Sequence, residues 1–282
     1  PTKTHHRSSA ASDVYKRQII IVTIMPTIQE QFFDIGANLT HESFEADLDD
    51  VISKAQESGV KRFSITGSSL NESISAIEIA KKFPNSCIST AGIHPHNAKE
   101  YSPSSFSEIR DLLEEDVVKS IGETGLDFYR NFSAAKQQEL SFEAHLELAI
   151  ETRYPLFLHE RDAHKRFIEI ISPYKEDLPK SVVHCFTGNK DALEKYIEMG
   201  FYIGITGWLC DERRGTHLID LIPIIPLDKL MIETDCPYLL PRDMGIDNST
   251  RNEPQFLKHI AERIAEIRPE SKELLFLSLI HI

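Results

Sequence analysis

Cysteine is scarce in this chain, and Cys87, Cys185, Cys210 and Cys236 form no C-x-x-C pair. That excludes a disulfide framework and reads as reduced thiols in a cytoplasmic protein. Long apolar runs are also missing. None approaches the roughly 18 residues that a membrane span needs, so a soluble protein with no membrane partner is expected. Basic residues are outnumbered by acidic ones, for a net charge of -13. Such a balance excludes a broad basic surface that grips duplex DNA, because that mode works through neutralised phosphates and released counterions. It leaves room for a phosphate substrate, since a metal ion and a few arginines can invert the potential inside one pocket. Any nucleic acid would then be held at an end, over a few nucleotides. No linker rich in Gly, Pro or Ser splits the chain, and no repeat of fixed period occurs.

What is present is an alternation. Short apolar strands are expected at residues 33–35, 62–66, 87–92, 117–121, 156–159, 182–184, 202–205 and 230–232. Amphipathic helical patterns fall at 45–57, 71–83, 105–114, 134–151, 163–171, 192–199 and 216–222, with 254–267 after the last strand. Eight strands with helices between them define an α/β fold, the (β/α)8 TIM barrel, as one domain over residues 33–282. Residues 1–24 read as a non-native or disordered extension ahead of Met25; they faintly resemble a secretion signal, but the apolar part is short and no small-residue cleavage site follows. Residues 277–282 stop without a helix cap and read as a foreign or truncated end.

In a barrel of this kind chemistry sits where the strands end. Glu123 follows strand four in Ile121-Gly122-Glu123-Thr124-Gly125-Leu126-Asp127, His159 ends strand five, His184 ends strand six, and Asp235 follows strand eight in Glu233-Thr234-Asp235-Cys236-Pro237-Tyr238. Alone, Glu123 would read as a solvated loop carboxylate, either histidine as a satisfied structural residue, and Asp235 as a helix cap. Together they supply the mixed oxygen and imidazole shell that binds one divalent ion. Glu123, His159 and His184 are therefore assigned to the metal, and Asp235 to general-base catalysis on the attacking water.

Gly92-Ile93-His94-Pro95-His96 places two more imidazoles after strand three. With one ion expected, His94 and His96 are assigned to phosphate contact, a structural turn being the alternative for His96. The run Gly207-Trp208-Leu209-Cys210-Asp211-Glu212-Arg213-Arg214-Gly215 offers an aromatic face beside guanidinium groups. Stacking of a base on Trp208 and phosphate binding by Arg213 or Arg214 suit a single-stranded end, and a solvated charge cluster is the bland alternative. Arg161, in the polar loop after His159, is a further substrate contact.

These stations, with Asp34-Ile35-Gly36-Ala37-Asn38-Leu39-Thr40, His184-Cys185-Phe186-Thr187-Gly188 and Gly204-Ile205-Thr206-Gly207-Trp208, give a chain that resembles the TatD family of metal-dependent deoxyribonucleases from residue 33 to about 267. The resemblance implies a Mg2+-dependent 3′-5′ exonuclease on single-stranded DNA and RNA ends; a monomeric, cytoplasmic protein is expected beside it. Ligand softness alone suits Mn2+ or Zn2+ at least as well. Most of the wider family opens with a His-x-His pair that helps to hold a second ion; Gly36 and Asn38 stand there here, which argues for one ion. Glu160 occupies a place where close relatives would carry a small residue. The rival readings are an amidohydrolase-type hydrolase of a small lactone, amide or ester, and a barrel that has lost catalysis and only binds.

Overall fold

The computed structural model describes residues 31–280. The reading made for residues 1–24 lies outside them. Eight parallel strands form a single sheet in the order of the sequence: β1 (Phe32–Ala37), β2 (Val60–Ile65), β3 (Cys87–Ala91), β4 (Val118–Asp127), β5 (Leu156–Arg161), β6 (Val182–Val183), β7 (Tyr202–Ile205) and β8 (Leu230–Ile232). The seam between β8 and β1 is tied by backbone bonds at the end of β1 and past that of β8, from Asp235 N to Gly36 O and from Asn38 N to Cys236 O, each 2.9 Å. Apolar strands of this kind persist because helices cover their outer faces. The helix Leu257–Ile267 buries Leu257, Ile260, Ala261 and Ile264, a spacing that puts all four on one side.

Between sheet and helices the core is dense with aromatics. Phe142 and Phe167 are fully buried and stack at 4.8 Å, and Tyr196 is buried beside Phe167. Truncating a ring so placed costs about 3–5 kcal/mol. Local capping agrees with the global fold: Ser69 accepts from Glu72 N, Ser102 from Ser105 N, and Asn189 from Ala192 N, each at a helix start.

β5 runs on to Arg161, which was expected in the loop beyond it, and three elements differ further from the sequence reading. β4 was expected to end at residue 121, ahead of Glu123, yet it runs on to Asp127. Its pairing with β5 shifts between Ile121↔Leu156 and Thr124↔Leu158, so three steps on β4 oppose two on β5. Gly122 (φ 135°) and Gly125 (φ 144°) take backbone conformations open to glycine, and a Cβ at either would strike a β5 carbonyl. The extra residue turns Glu123 into the barrel while the strand continues. The helix expected at 216–222 shortens to Leu218–Leu221 because Pro223 lies in the tighter turn that follows. Lys272–Ile280 forms a helix that was not foreseen; Leu275, Phe276 and Leu279 are buried, and Phe276 meets Phe32 of β1 edge-on at 5.0 Å.

Candidate metal centre

Residues from within β4 and β5 and from the loops after β3 and β6 converge on one oxygen. Glu123 Oε1 lies 2.8 Å from His159 Nδ1, 2.7 Å from His184 Nε2 and 3.1 Å from His94 Nε2. The two inner nitrogens of His159 and His184 are 3.3 Å apart. All four groups are buried or nearly so, and Glu123 is 6% exposed.

Each of these two histidines turns its other nitrogen to a second buried carboxylate. His159 Nε2 stands 3.4 Å from Asp127 Oδ2, and His184 Nδ1 stands 3.4 Å from Glu233 Oε2. His159 Nε2, His184 Nδ1 and Glu233 Oε2 are buried without a hydrogen bond. With a cation bound, outer nitrogens so placed would aim their N–H at these carboxylates and leave the inner lone pairs to the centre, the arrangement that orients histidine toward a metal. Glu233 is wholly buried, and its Oε1 accepts Cys185 N at 2.5 Å. It fits because β1 and β7 present Gly36 and Gly204 beneath it; a Cβ at Gly204 would come within 2.7 Å of Oε1, and one at Gly36 would overlap Oε2.

His94 is wired differently. Its Nδ1 accepts the backbone N–H of His96 at 3.0 Å. A neutral imidazole has one donor and one acceptor, so Nε2 carries the hydrogen and donates to Glu123. His94, Glu123 and His159 also stand close enough together to hold an ion. This tautomer turns an N–H of His94 toward Glu123, whereas His184 Nε2 stands as close to Glu123 as His159 does. His96 Nε2 donates to Asp127 Oδ2 over 2.8 Å, and the ring packs edge-on against the exposed ring of Phe132.

Charge follows this wiring. Burial alone would raise the Glu123 carboxyl, but the imidazoles of His94, His184 and His159 hold it well below the usual range. Burial works against a charge on His184, yet Glu123 and Glu233 on its two sides carry it well above the usual histidine value. His159 is raised in the same sense by Asp127 and Glu123. His94 goes the other way, pushed down to about 4 by burial. Without an ion, protons on His159 and His184 balance the carboxylates; the set is one a divalent cation fits.

Asp235 accepts from Asn38 Nδ2 at 2.9 Å and sits at φ 54°, in the left-handed region. A non-glycine residue held there costs about 1–3 kcal/mol and persists where its surroundings over-determine it. Burial pushes its carboxyl up to about 7, with the Glu123 and Glu233 charges adding to the rise.

These groups open into a cavity of about 660 Å³ whose lining includes His94, His96, Glu123, His159, Arg161, His184, Trp208, Arg214 and Asp235. Arg161 packs its guanidinium 4.1 Å from the Tyr129 ring and 5.7 Å from Trp208. Arg213 does not line this cavity. Asp211 holds it by Nε at 2.9 Å and Nη2 at 2.7 Å, and Arg214 takes the place beside Trp208. Glu160 accepts from Ala163 N and from the Tyr196 hydroxyl, so its larger side chain is anchored at the rim. Sequence reasoning left Asp127 and Glu233 without roles; the signal available was their place within two to four residues of Glu123 and Asp235 in the same strand-end motifs.

The comparisons agree with one another. A family model described as TatD related DNase matches residues 33–277. A curated protein, the 3'-5' ssDNA/RNA exonuclease TatD of Salmonella typhimurium, is 49% identical over 244 residues, covering 86% of this chain and 94% of its own length. Among solved structures, a hydrolase TatD family protein from Entamoeba histolytica superposes with TM-score 0.78 at 29% identity, covering 90% of this chain and 96% of its own. YJJV, a TatD homolog from Escherichia coli K12, gives TM-score 0.83 over 90% of this chain and 96% of its own, and at 23% identity shows the fold alone.

Proposed function

Since this chain belongs to the TatD related DNase family and is a metal-dependent hydrolase of phosphodiester bonds, we propose that it trims single-stranded DNA and RNA from the 3′ end with one divalent ion held by Glu123, His159 and His184. The observation that carries this reading is the paired wiring of the two histidines: inner nitrogens on Glu123 Oε1 at 2.8 and 2.7 Å, outer nitrogens facing Asp127 and Glu233 at 3.4 Å. When bound, the ion supplies Lewis acidity at the phosphoryl oxygen. Asp235 accepts the proton of the attacking water at its carboxylate, while Asn38 orients that group from one side. His94 Nε2–H, His96 and Arg161 offer donors to the phosphate, and Trp208 offers a face to a base.

Mg2+ is our reading from the family; Mn2+ and Zn2+ suit the same donors. Four free thiols accord with a cytoplasmic enzyme, which we take to act as a monomer. No helix among the described residues is long and apolar enough to cross a membrane. Nothing in the site favours a small lactone, amide or ester: a histidine at position 36 would need the space that Glu233 fills.

The test is direct. Strands labelled at either end are incubated with the protein under Mg2+, Mn2+, Zn2+ or chelator. Stepwise loss from the 3′ end that a chelator stops is expected; turnover of a small amide with strands left intact would overturn the reading.

A further inference from the structure

Beyond Trp208 lies a second, smaller cavity of about 160 Å³, lined by Arg213, Arg214 and Arg242 with Asp211, Leu239 and Asn248. It shares Trp208, Arg214 and Leu239 with the main cavity, so these residues form the partition between the two. Asp211 is 2% exposed and binds Arg213 at 2.7 Å and Arg214 at 2.9 Å, with Arg242 at 3.8 Å. Glu212, exposed, faces Arg242 at 3.5 Å. Two carboxylates therefore stand against three guanidinium groups, and the surplus is positive in a chain whose net charge is -13. Arg242 Nε is buried and makes no hydrogen bond among the described residues. The loop is tied to itself as well: Arg213 N donates to Asp211 Oδ1, Gly215 N to Asp211 O, and the Trp208 indole to Arg214 O. Guanidinium groups held in place around a hollow suit a phosphate better than any neutral group.

We propose that this hollow is a second phosphate subsite, which holds a backbone phosphodiester upstream of the bond being cut. It rests on the nuclease reading above and adds to it where the strand goes. The terminal nucleotide occupies the main cavity, the chain crosses the partition at Trp208, and the next phosphates lie over Arg214, Arg213 and Arg242. Asp211 is a positioning residue for the three. The subsite makes the enzyme favour strands long enough to reach it.

The experiment compares a dinucleotide with a hexanucleotide on wild type, Arg242→Ala and Arg242→Lys. The hexamer-to-dimer ratio of kcat/KM falls about 10-fold in Arg242→Ala, through KM, and is largely kept in Arg242→Lys. The slope of log kcat/KM against log salt for the hexamer falls by about one in the alanine variant. A single neutral methylphosphonate is then walked along the hexamer. At one linkage it lowers the wild type to the level of Arg242→Ala and leaves that variant unaffected. Equal losses on dimer and hexamer, no loss on either, or the lack of any such linkage would overturn the subsite. Binding of a fluorescent hexamer in chelator, read by anisotropy, separates the two proposals: wild type that binds Arg242-dependently yet cuts nothing sinks the nuclease reading and keeps the subsite.

Discussion

Replacing Glu233 by Gln removes a charge from the interior while leaving its shape. Glu233 is wholly buried, Oε1 accepts Cys185 N, and Oε2 faces His184 Nδ1 at 3.4 Å. Gln retains an oxygen for Cys185 and the volume between Gly36 and Gly204, so packing is preserved. Lost is the carboxylate that holds the His184 proton on the outer nitrogen. Unit charges at 3.4 Å interact by roughly 5 kcal/mol at an effective dielectric of about 20, and desolvation takes back most of that. The remainder matches what outer partners of metal-binding histidines contribute, about 10- to 100-fold in affinity or about 1.4–2.8 kcal/mol. Titration calorimetry with Mn2+ should show a loss in that range for Glu233→Gln. The melting temperature should hold or rise, because a neutral amide is cheaper to bury than a carboxylate. Glu233→Ala, which also opens a cavity, should lose both. Unchanged Mn2+ affinity in the Gln variant, together with a clearly lower melting temperature, would show that Glu233 serves the fold and not the ion.

Other expectations follow from the same wiring. Asp235→Asn should keep its fold and Mn2+ affinity but lose cleavage of a labelled strand, and retained turnover would remove Asp235 from the mechanism. His94→Ala should still bind Mn2+, since His94 presents an N–H, yet cleave about 100-fold more slowly; loss of Mn2+ binding would make it a ligand. Glu123 raises the affinity of His159 and His184 for protons, so an incoming ion must displace them. Affinity should therefore climb from pH 5.5 to 8, with proton release seen as calorimetric heats that depend on the buffer; heats independent of the buffer would contradict it. Asp34, buried and pushed up to about 7, has a raised folded value, so its share of stability is full below the unfolded value and fades as pH rises through the folded one. From 3.8 to about 7 that share amounts to about 4 kcal/mol. The melting temperature should fall between about pH 4 and 7 by an amount that Asp34→Asn reduces.

The barrel was legible because it rests on local pattern. Apolar runs such as Leu156-Phe157-Leu158 and helical spacing such as that of Leu257, Ile260, Ala261 and Ile264 state their own periodicity, and the strand order follows from the chain. Glu123, His159, His184 and Asp235 were legible as strand-end polar residues, and all four do face one cavity. The extension of β4 was not, since its bulge depends on Gly122 and Gly125 meeting β5 carbonyls that belong to a neighbour in space.

The role of Glu233 was hidden for a related reason. A fully buried carboxylate is tolerated only if distant parts of the chain leave it room and give it partners. Gly36 on β1 and Gly204 on β7 leave the room, Cys185 and His184 give the partners. None of the four lies within 25 residues of Glu233 in sequence. His94 makes the same point from the opposite side. Its residue type fits a ligand as well as that of His159 does, and it is the backbone N–H of His96 on Nδ1 that makes Nε2 a donor toward Glu123. Which atoms can face a cation is thus decided by the hydrogen bonds behind each ring, and those form only when the barrel closes.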